Sequence, residues 1–347
     1  MAFRLSEAVE GLADLTGFRD REVLDVGLVG VLFQLLHPQS LGIYRAVGDH
    51  HDRRWHTRAA QAKGQAAPAG DPLWADPDSL PPLDSEPQRA HCLASQQPLA
   101  MAGPPARHWF PIGHEFDTQT VLELRLAQPL SGEQLGLVSA MLRVFRNFQG
   151  LLDYSERDTL TGLLNRKTFD EAFLRLTRVD PVAAPVAAPA EGGRRAPSAT
   201  TWLVVVDIDH FKRVNDNHGH LIGDEVLLLV ARLMRSSLRY SDQLYRFGGE
   251  EFVVMLRCGT ANDARTALER LRGNIEAYHF PQVGRITVSL GYTEVRPADT
   301  PAAAFGRADK AVYHVKANGR NQVAYHADLV HSGRLLDDSV SGDIDLF

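Results

Sequence analysis

Cysteine is scarce: the 347-residue chain holds two, Cys92 and Cys258. Two thiols so far apart in sequence cannot build a disulfide framework, and a reducing compartment fits. Basic charge is not in excess either. Against 43 Asp and Glu stand 37 Lys and Arg, a formal net charge of −6. No global positive field argues for a nucleic-acid partner. Long apolar runs are missing too. The longest near the start, Val23 to Leu36, is too short to span a bilayer and carries Asp25. The first residues lack the basic flank and apolar core of a signal peptide. No membrane span is expected, and a cytoplasmic location and a cytoplasmic input signal are.

What is present is ordinary for a globular protein: 44% hydrophobic and 23% charged residues, enough to bury real cores. The length suggests two domains. Residues 1–130 differ in character from the rest. Arg19 to Leu36 has a helical apolar pattern, and Ser40 to Val47 reads as a strand. The polar stretch His50 to Ser85, rich in Ala, Pro and Asp, reads as loops. His108 to Ile112 and Thr120 to Ala127 read as strands, the second by its alternation. Histidines scattered here, among them His56 and His108, read as solvated.

Ser131 to Arg157 reads as a capped helix, with Ser131 ahead of Glu133 and Gln134. It carries two apolar seams. Leu135, Val138, Leu142, Phe145, Gln149 and Leu152 form one; Leu137, Met141, Val144, Phe148 and Leu151 form the other. Such a helix either packs on its own domain or pairs in a parallel dimer. Residues 178–200 are rich in Pro, Ala and Gly and read as a flexible insertion. The acidic tail, 328–347, reads as disordered, with docking to a protein partner as the alternative.

Chemistry concentrates further along. Trp202 to Val206 is an apolar run without alternation, hence a strand buried on both faces. It delivers Asp207 to the strand end. Tyr245 to Phe247 and Phe252 to Leu256 flank Gly248-Gly249 and read as a hairpin. Its tip carries Glu250 and Glu251. If the tip lies beside the first strand, three carboxylates meet, and they repel unless cations lie between them. Oxygen ligands beside backbone of little bulk suit Mg2+ with phosphates. Gly248 and Gly249 leave room for a nucleotide and allow positive φ in the turn.

Five blocks in order carry a resemblance to the GGDEF family of diguanylate cyclases. They are DTLTGLLNR (158–166), DIDHFKRVND (207–216), GHLIGDEVL (219–227), GGEEF (248–252) and ADKAVYHVKANGRN (308–321). The resemblance covers roughly residues 156–327, about half the chain. It implies a ferredoxin-like nucleotidyl-cyclase domain (158–327); the order of elements before it reads as a GAF-like or PAS-like sensor (1–130) and a signalling helix (131–157), an α+β architecture overall. The GAF-like alternative is favoured on element order alone. The implied reaction condenses two GTP into cyclic di-GMP across a homodimer, with two Mg2+ or Mn2+ per active-site half. Asp207, Glu250 and the Ile208 carbonyl are implied metal ligands. Glu251 is implied as a second-metal ligand or a base.

His210, Phe211 and Lys212 are implied to cradle phosphate, and Lys316 and Arg320 to hold the distal phosphates. Asn215 and Asp224 are implied guanine readers. Asp accepts from guanine N1–H and N2–H, which argues against ATP. Arg239 and Asp242, an RxxD string with five residues between Asp242 and Gly248, match the family's inhibitory product site. Arg270 or Arg272 could join it. A catalytically silent receptor for GTP or cyclic di-GMP is the alternative function. The retained acidic and glycine residues of the signature argue against it.

Overall fold

Asp20 caps the helix that begins at Arg21, its side chain accepting from the Glu22 N–H at 2.9 Å. In the computed structural model that helix, α1, spans Arg21–Leu36 and buries Leu24, Leu28, Val29, Leu32 and Leu36 along one side. The structure describes residues 20–49, 52–72, 77–113, 119–177 and 200–336, with positions 10, 13, 17 and 75. The chain divides into two units, residues 1–155 and 156–347.

In the first unit α1 is followed by β1 (Ser40–Asp49), β2 (Asp52–Ala62), α2 (Pro87–Ser95), β3 (Leu99–Met101), β4 (Ala106–Pro111), β5 (Thr120–Leu126) and α3 (Gly132–Glu156). The strands form one antiparallel sheet in the order β2-β1-β5-β4-β3. Alternation decides its two faces. Leu41, Ile43, Leu122 and Leu124 pack against α1 and against Val138, Met141, Leu142 and Phe145 of α3. Trp55, Trp109 and Val121 pack with Cys92 and Leu93 of α2 on the other face. Burying about ten such aliphatic side chains on the α1/α3 face supplies on the order of 20 kcal/mol of gross hydrophobic gain.

The stretch expected as loop from His50 to Ser85 instead contains β2. Its sequence, DRRWHTRAAQA, hides the strand because the pattern is arginine-rich and its inward residues are Trp55 and the small Ala59. It is an edge strand whose outer side the following chain covers: Ala60 and Ala69 exchange backbone hydrogen bonds, and the Trp55 N–H donates to the Pro81 carbonyl at 2.8 Å. His56 and His108 are not solvated. Both are buried; His56 Nε2 lies 3.0 Å from the Pro72 carbonyl, and the Leu130 N–H meets His108 Nε2 at 3.2 Å. Burial pushes the His108 imidazole down, so it stays a neutral acceptor.

The first α3 seam goes largely to the sheet: Val138, Leu142, Phe145, Gln149 and Leu152 are buried. Leu135, Leu151 and Tyr154 stay exposed, Tyr154 at 80%. Packing on its own sheet therefore holds along most of the helix.

The second unit contains β6 (Leu164–Asn165), α4 (Arg166–Thr177), β7 (Thr200–Ile208), α5 (Phe211–His218), α6 (His220–Ser237), β8 (Gln243–Gly248) and β9 (Glu251–Cys258). Then come α7 (Ala261–Ala277), β10 (His279–Phe280), β11 (Gly284–Arg285), β12 (Val288–Glu294), α8 (Pro301–Ala317), β13 (Val323–Tyr325) and α9 (His326–His331). Six strands form a sheet ordered β13-β12-β7-β9-β8-β6. As its sequence predicts, β7 is buried on both faces. Val204, Val206 and Ile208 meet α5, α6 and α7; Leu203 and Val205 meet Phe169 and Phe173 of α4 and Ala308 of α8. The unit runs past the expected boundary at 327, because α9 continues to His331 with Leu329 buried. Of the expected insertion, 178–199 lie outside the described residues, as do 337–347 of the tail.

Candidate functional site

β7 runs antiparallel to both β9 and β12, and this register sets the site. Asp207 stands opposite Glu251 on β9. Directly opposed residues share a face, with Cβ atoms about 5 Å apart. Glu250 precedes Glu251 at the tip of the β8–β9 hairpin, and the Ile208 N–H points to the Glu250 carbonyl at 3.4 Å. Gly248 and Gly249 form the tip with φ of 148° and 52°. A Cβ on either would meet nothing within 4 Å. The glycines therefore serve both the turn and the open space above it.

Asp207 is 4% exposed. Lys316, from α8, pairs with its Oδ2 at 2.7 Å, while Oδ1 is buried and accepts no hydrogen bond. Burial pushes the Asp207 carboxyl up; Lys316 opposes this, and Asp209 and Asp309 add to it. Glu250 is likewise raised by burial and then by Asp207, with Glu251 adding. Glu251 is raised by burial, Asp207 and Asp309, against Lys316 and Arg166. All three carboxylates thus sit where positive charge is in deficit. Asp309 and Lys316 are seven residues apart on α8, one face of the helix.

The three carboxylates do not close into a preformed cage. Among the described residues no three His, Cys, Asp or Glu side chains are grouped to hold a metal ion. The Lys316 ammonium pairs with Asp207 at 2.7 Å among them. The residues nonetheless fit a hard divalent cation. The donors are all oxygen, one of them is an orphaned buried carboxylate oxygen, and Mg2+ commonly takes one or two carboxylates and completes its shell with phosphate.

Arg246 and Asp158 fix the hairpin tip, a pair sequence reading did not single out. The Arg246 guanidinium donates to both Asp158 oxygens, at 3.0 and 3.2 Å, and to the Gly249 carbonyl at 3.0 Å. Asp158 also accepts from the Thr161 N–H and hydroxyl. Burial would raise the Asp158 carboxyl, but Thr161 and then Arg246 outweigh it and hold it low. Asp158 lay inside a matching motif, and an Arg two residues before the glycine pair was the available signal.

Asp209 was also passed over. It is 4% exposed and accepts from Thr287 Oγ1 and Ser289 Oγ, each at 2.6 Å, and from the Asn321 N–H at 3.1 Å. Arg320 and Asn321 adopt left-handed φ of 60° and 49°. Asp209 thereby anchors the turn that follows Lys316.

His210 adopts φ of 59° and precedes α5 without a side-chain cap. Uncapped first-turn amides of a helix suit an anion. The Phe211 side chain is 4% exposed and belongs to the core, so only its backbone faces outward chemistry. Lys212 and Asp224 are exposed and Asn215 is half-buried. A Cβ at Gly223 would collide with Asn215 Oδ1; the glycine lets α5 and α6 close up and sets Asn215 beside the start of α6.

Arg239 and Asp242 form their own turn: the Arg239 N–H donates to Asp242 Oδ2 at 2.8 Å. Burial pushes the Asp242 carboxyl up to about 6, against the Arg239 contact. Arg270 donates twice to the Ser237 carbonyl just upstream, at 3.1 and 2.8 Å. Arg272 is occupied by Glu269, Glu276 and Asn321.

Sheet, hairpin tip and flanking turns together define an α+β domain of the GGDEF type. Residues 190–322 match the family model described as "Diguanylate cyclase, GGDEF domain", and the chain carries a GGDEF domain. Among curated relatives, diguanylate cyclase DgcP of Pseudomonas aeruginosa is 41% identical over 169 residues, 48% of this chain and 23% of that protein. Diguanylate cyclase DgcZ of Escherichia coli is 33% identical over 174 residues, 49% of this chain and 53% of that protein. The chain thus spans about half or less of these relatives. Among solved structures, the GGDEF domain of DgcB from Caulobacter crescentus, in complex with c-di-GMP, is 34% identical. The match covers 50% of this chain and 93% of that one, at a TM-score of 0.42. Among the described residues no helix is long and apolar enough to cross a membrane.

Proposed function

We propose that the protein is a diguanylate cyclase that condenses two GTP into cyclic di-GMP and two pyrophosphates. The observation that carries this is Asp207: a buried carboxylate at a strand end, cross-strand from Glu251 and beside Glu250, with one oxygen unpartnered. Asp207, Glu250 and the Ile208 carbonyl would hold Mg2+ or Mn2+, two ions per half-site, with Glu251 as a further ligand or as the base. Bound metal supplies Lewis-acid stabilisation of charge on the phosphoryl oxygens.

The chain's own residues do the rest. Lys316 and Arg320 hold the distal phosphates, and the uncapped start of α5 with Lys212 receives phosphate oxygens. Asn215 and Asp224 read the guanine edge. The 3′-oxygen of one GTP bonds to the α-phosphorus of the other as the bond to the β-phosphate oxygen breaks. The 3′-OH proton passes to Glu251 in its role as base, and pyrophosphate leaves. Burial and neighbouring Asp207 raise the proton affinity of Glu251, which favours that role. A second, symmetric step closes the ring. One domain holds one GTP, so the active species is a homodimer.

The N-terminal unit is read as a GAF-like or PAS-like sensor acting through α3, whose exposed Leu151 and Tyr154 suit pairing with a second copy. The compartment is read as cytoplasmic, and the tail as a possible docking peptide for another protein.

Incubation of the purified chain with GTP and Mg2+, the product identified by mass, tests the activity. Cyclic di-GMP supports the reading. GTP binding without turnover would favour a silent receptor on the same fold.

Arg239 and Asp242 are proposed as the inhibitory product site. Arg239→Ala should abolish tight cyclic di-GMP binding yet leave GTP turnover intact. The Asp242 carboxyl accepts both guanine N–H donors through its two oxygens only when ionised, since protonation turns one oxygen into a donor. Its raised value near 6 places the ionised form above that pH. Product affinity should therefore be full at neutral pH and fall as pH drops through 6. At one unit below, about a tenfold loss follows. Calorimetry at the two pH values checks this; equal affinities would remove Asp242 from the site.

A further inference from the structure

Asp207 and Glu251 face each other across β7 and β9. They lie on the sheet face that also carries Leu203, Val205 and Phe247, because alternate residues of a strand share a side. Beyond β9 comes β8, where Gly248 pairs with Glu251. Beyond β8 comes the short β6, where Asn165 pairs with Arg246. The next residues, Arg166 and Phe247, therefore come side by side, and the Arg166 guanidinium lies over the Phe247 ring, 5.2 Å from its centroid. We propose that Arg166 is a further catalytic residue, donating to the α-phosphate of the GTP that the partner domain holds; this rests on the cyclase reading above.

Availability is the first reason. Arg166 is exposed, and among the described residues none accepts a hydrogen bond from it or forms an ion pair with it. A guanidinium stacked on a ring keeps its in-plane N–H donors open to a phosphate. The platform beneath it is fixed. Phe247 stacks on Phe305 of α8 at 4.9 Å and 7°, and the buried Phe169 meets it edge-on at 4.9 Å. Arg166 also opens α4, where its charge opposes the helix dipole, and no acidic residue offsets it in the first turn. A charge kept against a local rule is expected where function requires it.

Position decides which phosphate it meets. Lys316 reaches the row of carboxylates from the other end, on Asp207 at 2.7 Å, and with Arg320 serves the distal phosphates of its own domain's GTP. Arg166 stands on the side of Glu251 away from Asp207, across about 10 Å of sheet. Burial and the Asp207 and Asp309 charges raise the Glu251 carboxyl, and Lys316 and Arg166 oppose them, so the guanidinium is within electrostatic reach of that carboxylate.

As base, Glu251 takes the proton of its own domain's 3′-OH. That oxygen must approach the attacked phosphorus to about 3.5 Å, and the attacked phosphorus belongs to the other GTP. A cation beside Glu251 therefore meets the α-phosphate of that second nucleotide. The 3′-oxygen bonds to phosphorus as the bond to the β-phosphate oxygen breaks. Arg166 stays protonated and offsets the charge that gathers on the phosphoryl oxygens. Glu251 and Arg166 of one chain thus serve the same new bond.

Heterodimers of the wild-type chain with a variant chain, isolated through two different tags, are given GTP and Mg2+ and the products resolved by mass. Arg166→Met keeps the stem on Phe247. As a homodimer it should form both bonds about a hundredfold more slowly, the scale of one lost oxyanion donor. Paired with wild type it should form one bond at the normal rate and accumulate the linear dinucleotide pppGpG. Adding Glu251→Gln to the same variant chain should still leave that linear product, since both residues serve the bond already slowed. Should Arg166→Met fail to fold, Arg166→Lys, which keeps charge without the planar fork, should accumulate the linear product with ring closure about tenfold slower. Normal turnover by a folded Arg166→Met homodimer removes the residue from the reaction. No linear product from the double-variant heterodimer assigns Arg166 to its own domain's GTP. Slowing of both bonds in the single-variant heterodimer makes it structural only. Each of these overturns the proposal and leaves the cyclase reading standing, whereas a wild-type chain that makes no cyclic di-GMP defeats that reading and this proposal with it.

Discussion

Glu250→Gln is expected to lower GTP turnover about a thousandfold while the protein stays folded. The substitution keeps shape but replaces one acceptor oxygen by an amide donor and removes one negative charge from the hairpin tip. If Glu250 holds metal, the loss removes about 4 kcal/mol of transition-state stabilisation, the scale of Lewis-acid assistance. Stability should move the other way. Glu250 is raised by burial and by the Asp207 and Glu251 charges, so its ionised form is disfavoured in the folded protein. Its removal relieves repulsion above the ordinary carboxylate range, and the thermal midpoint at neutral pH should stay level or rise. Loss of activity with a preserved or higher midpoint is the signature of a functional carboxylate. A folded variant with near-normal turnover would sink the assignment.

Arg246→Ala should act by a different route. No substrate contact is ascribed to Arg246; it is a positioning residue that ties the Gly249 carbonyl to Asp158. Without it the tip carrying Glu250 loses its tether. Displacement of about 1 Å is enough to cost about a hundredfold in rate. The effect should fall on kcat more than on KM, since the residues proposed to hold phosphate and guanine are untouched. Stability should fall by about 2 kcal/mol, because charge-assisted hydrogen bonds are lost and Asp158 is left half-buried beside no cation. Arg246→Lys, reaching one partner only, should recover part of the rate. An Arg246→Ala enzyme with normal kcat and a raised KM would instead make Arg246 a binding group.

The sequence made the second unit legible where its physics is local. An apolar run without alternation could only be a strand covered on both sides, and β7 is one. A glycine pair between two apolar strands could only be a tight tip. Helix α3 followed from its cap and its seams, although which seam met the sheet depended on a partner surface that spacing does not describe. What stayed hidden was non-local. Lys316 reaches Asp207 across more than a hundred residues, and no periodicity announces that pair. Asp209 reads as a polar strand end until Thr287, Ser289 and Asn321 arrive around it. In the first unit, β2 was masked by its arginines and by alanines too small to mark an inward face. His56 and His108 looked like surface histidines because their acceptor and donor partners, Pro72 and Leu130, are backbone groups. Phe211 matched a phosphate-cradling position, yet its ring is core; only the main chain there is free to act.

Asp209 bears on transplantation. A carboxylate only accepts, so Thr287, Ser289 and the Asn321 amide must all donate toward it. The turn after α8 is therefore shaped by the sheet before any nucleotide arrives. A short peptide copied from residues 316–321 would not keep this shape, since its two left-handed non-glycine residues would relax. Anyone moving the loop to another scaffold would have to carry a strand-end carboxylate and two hydroxyls from a neighbouring strand along with it.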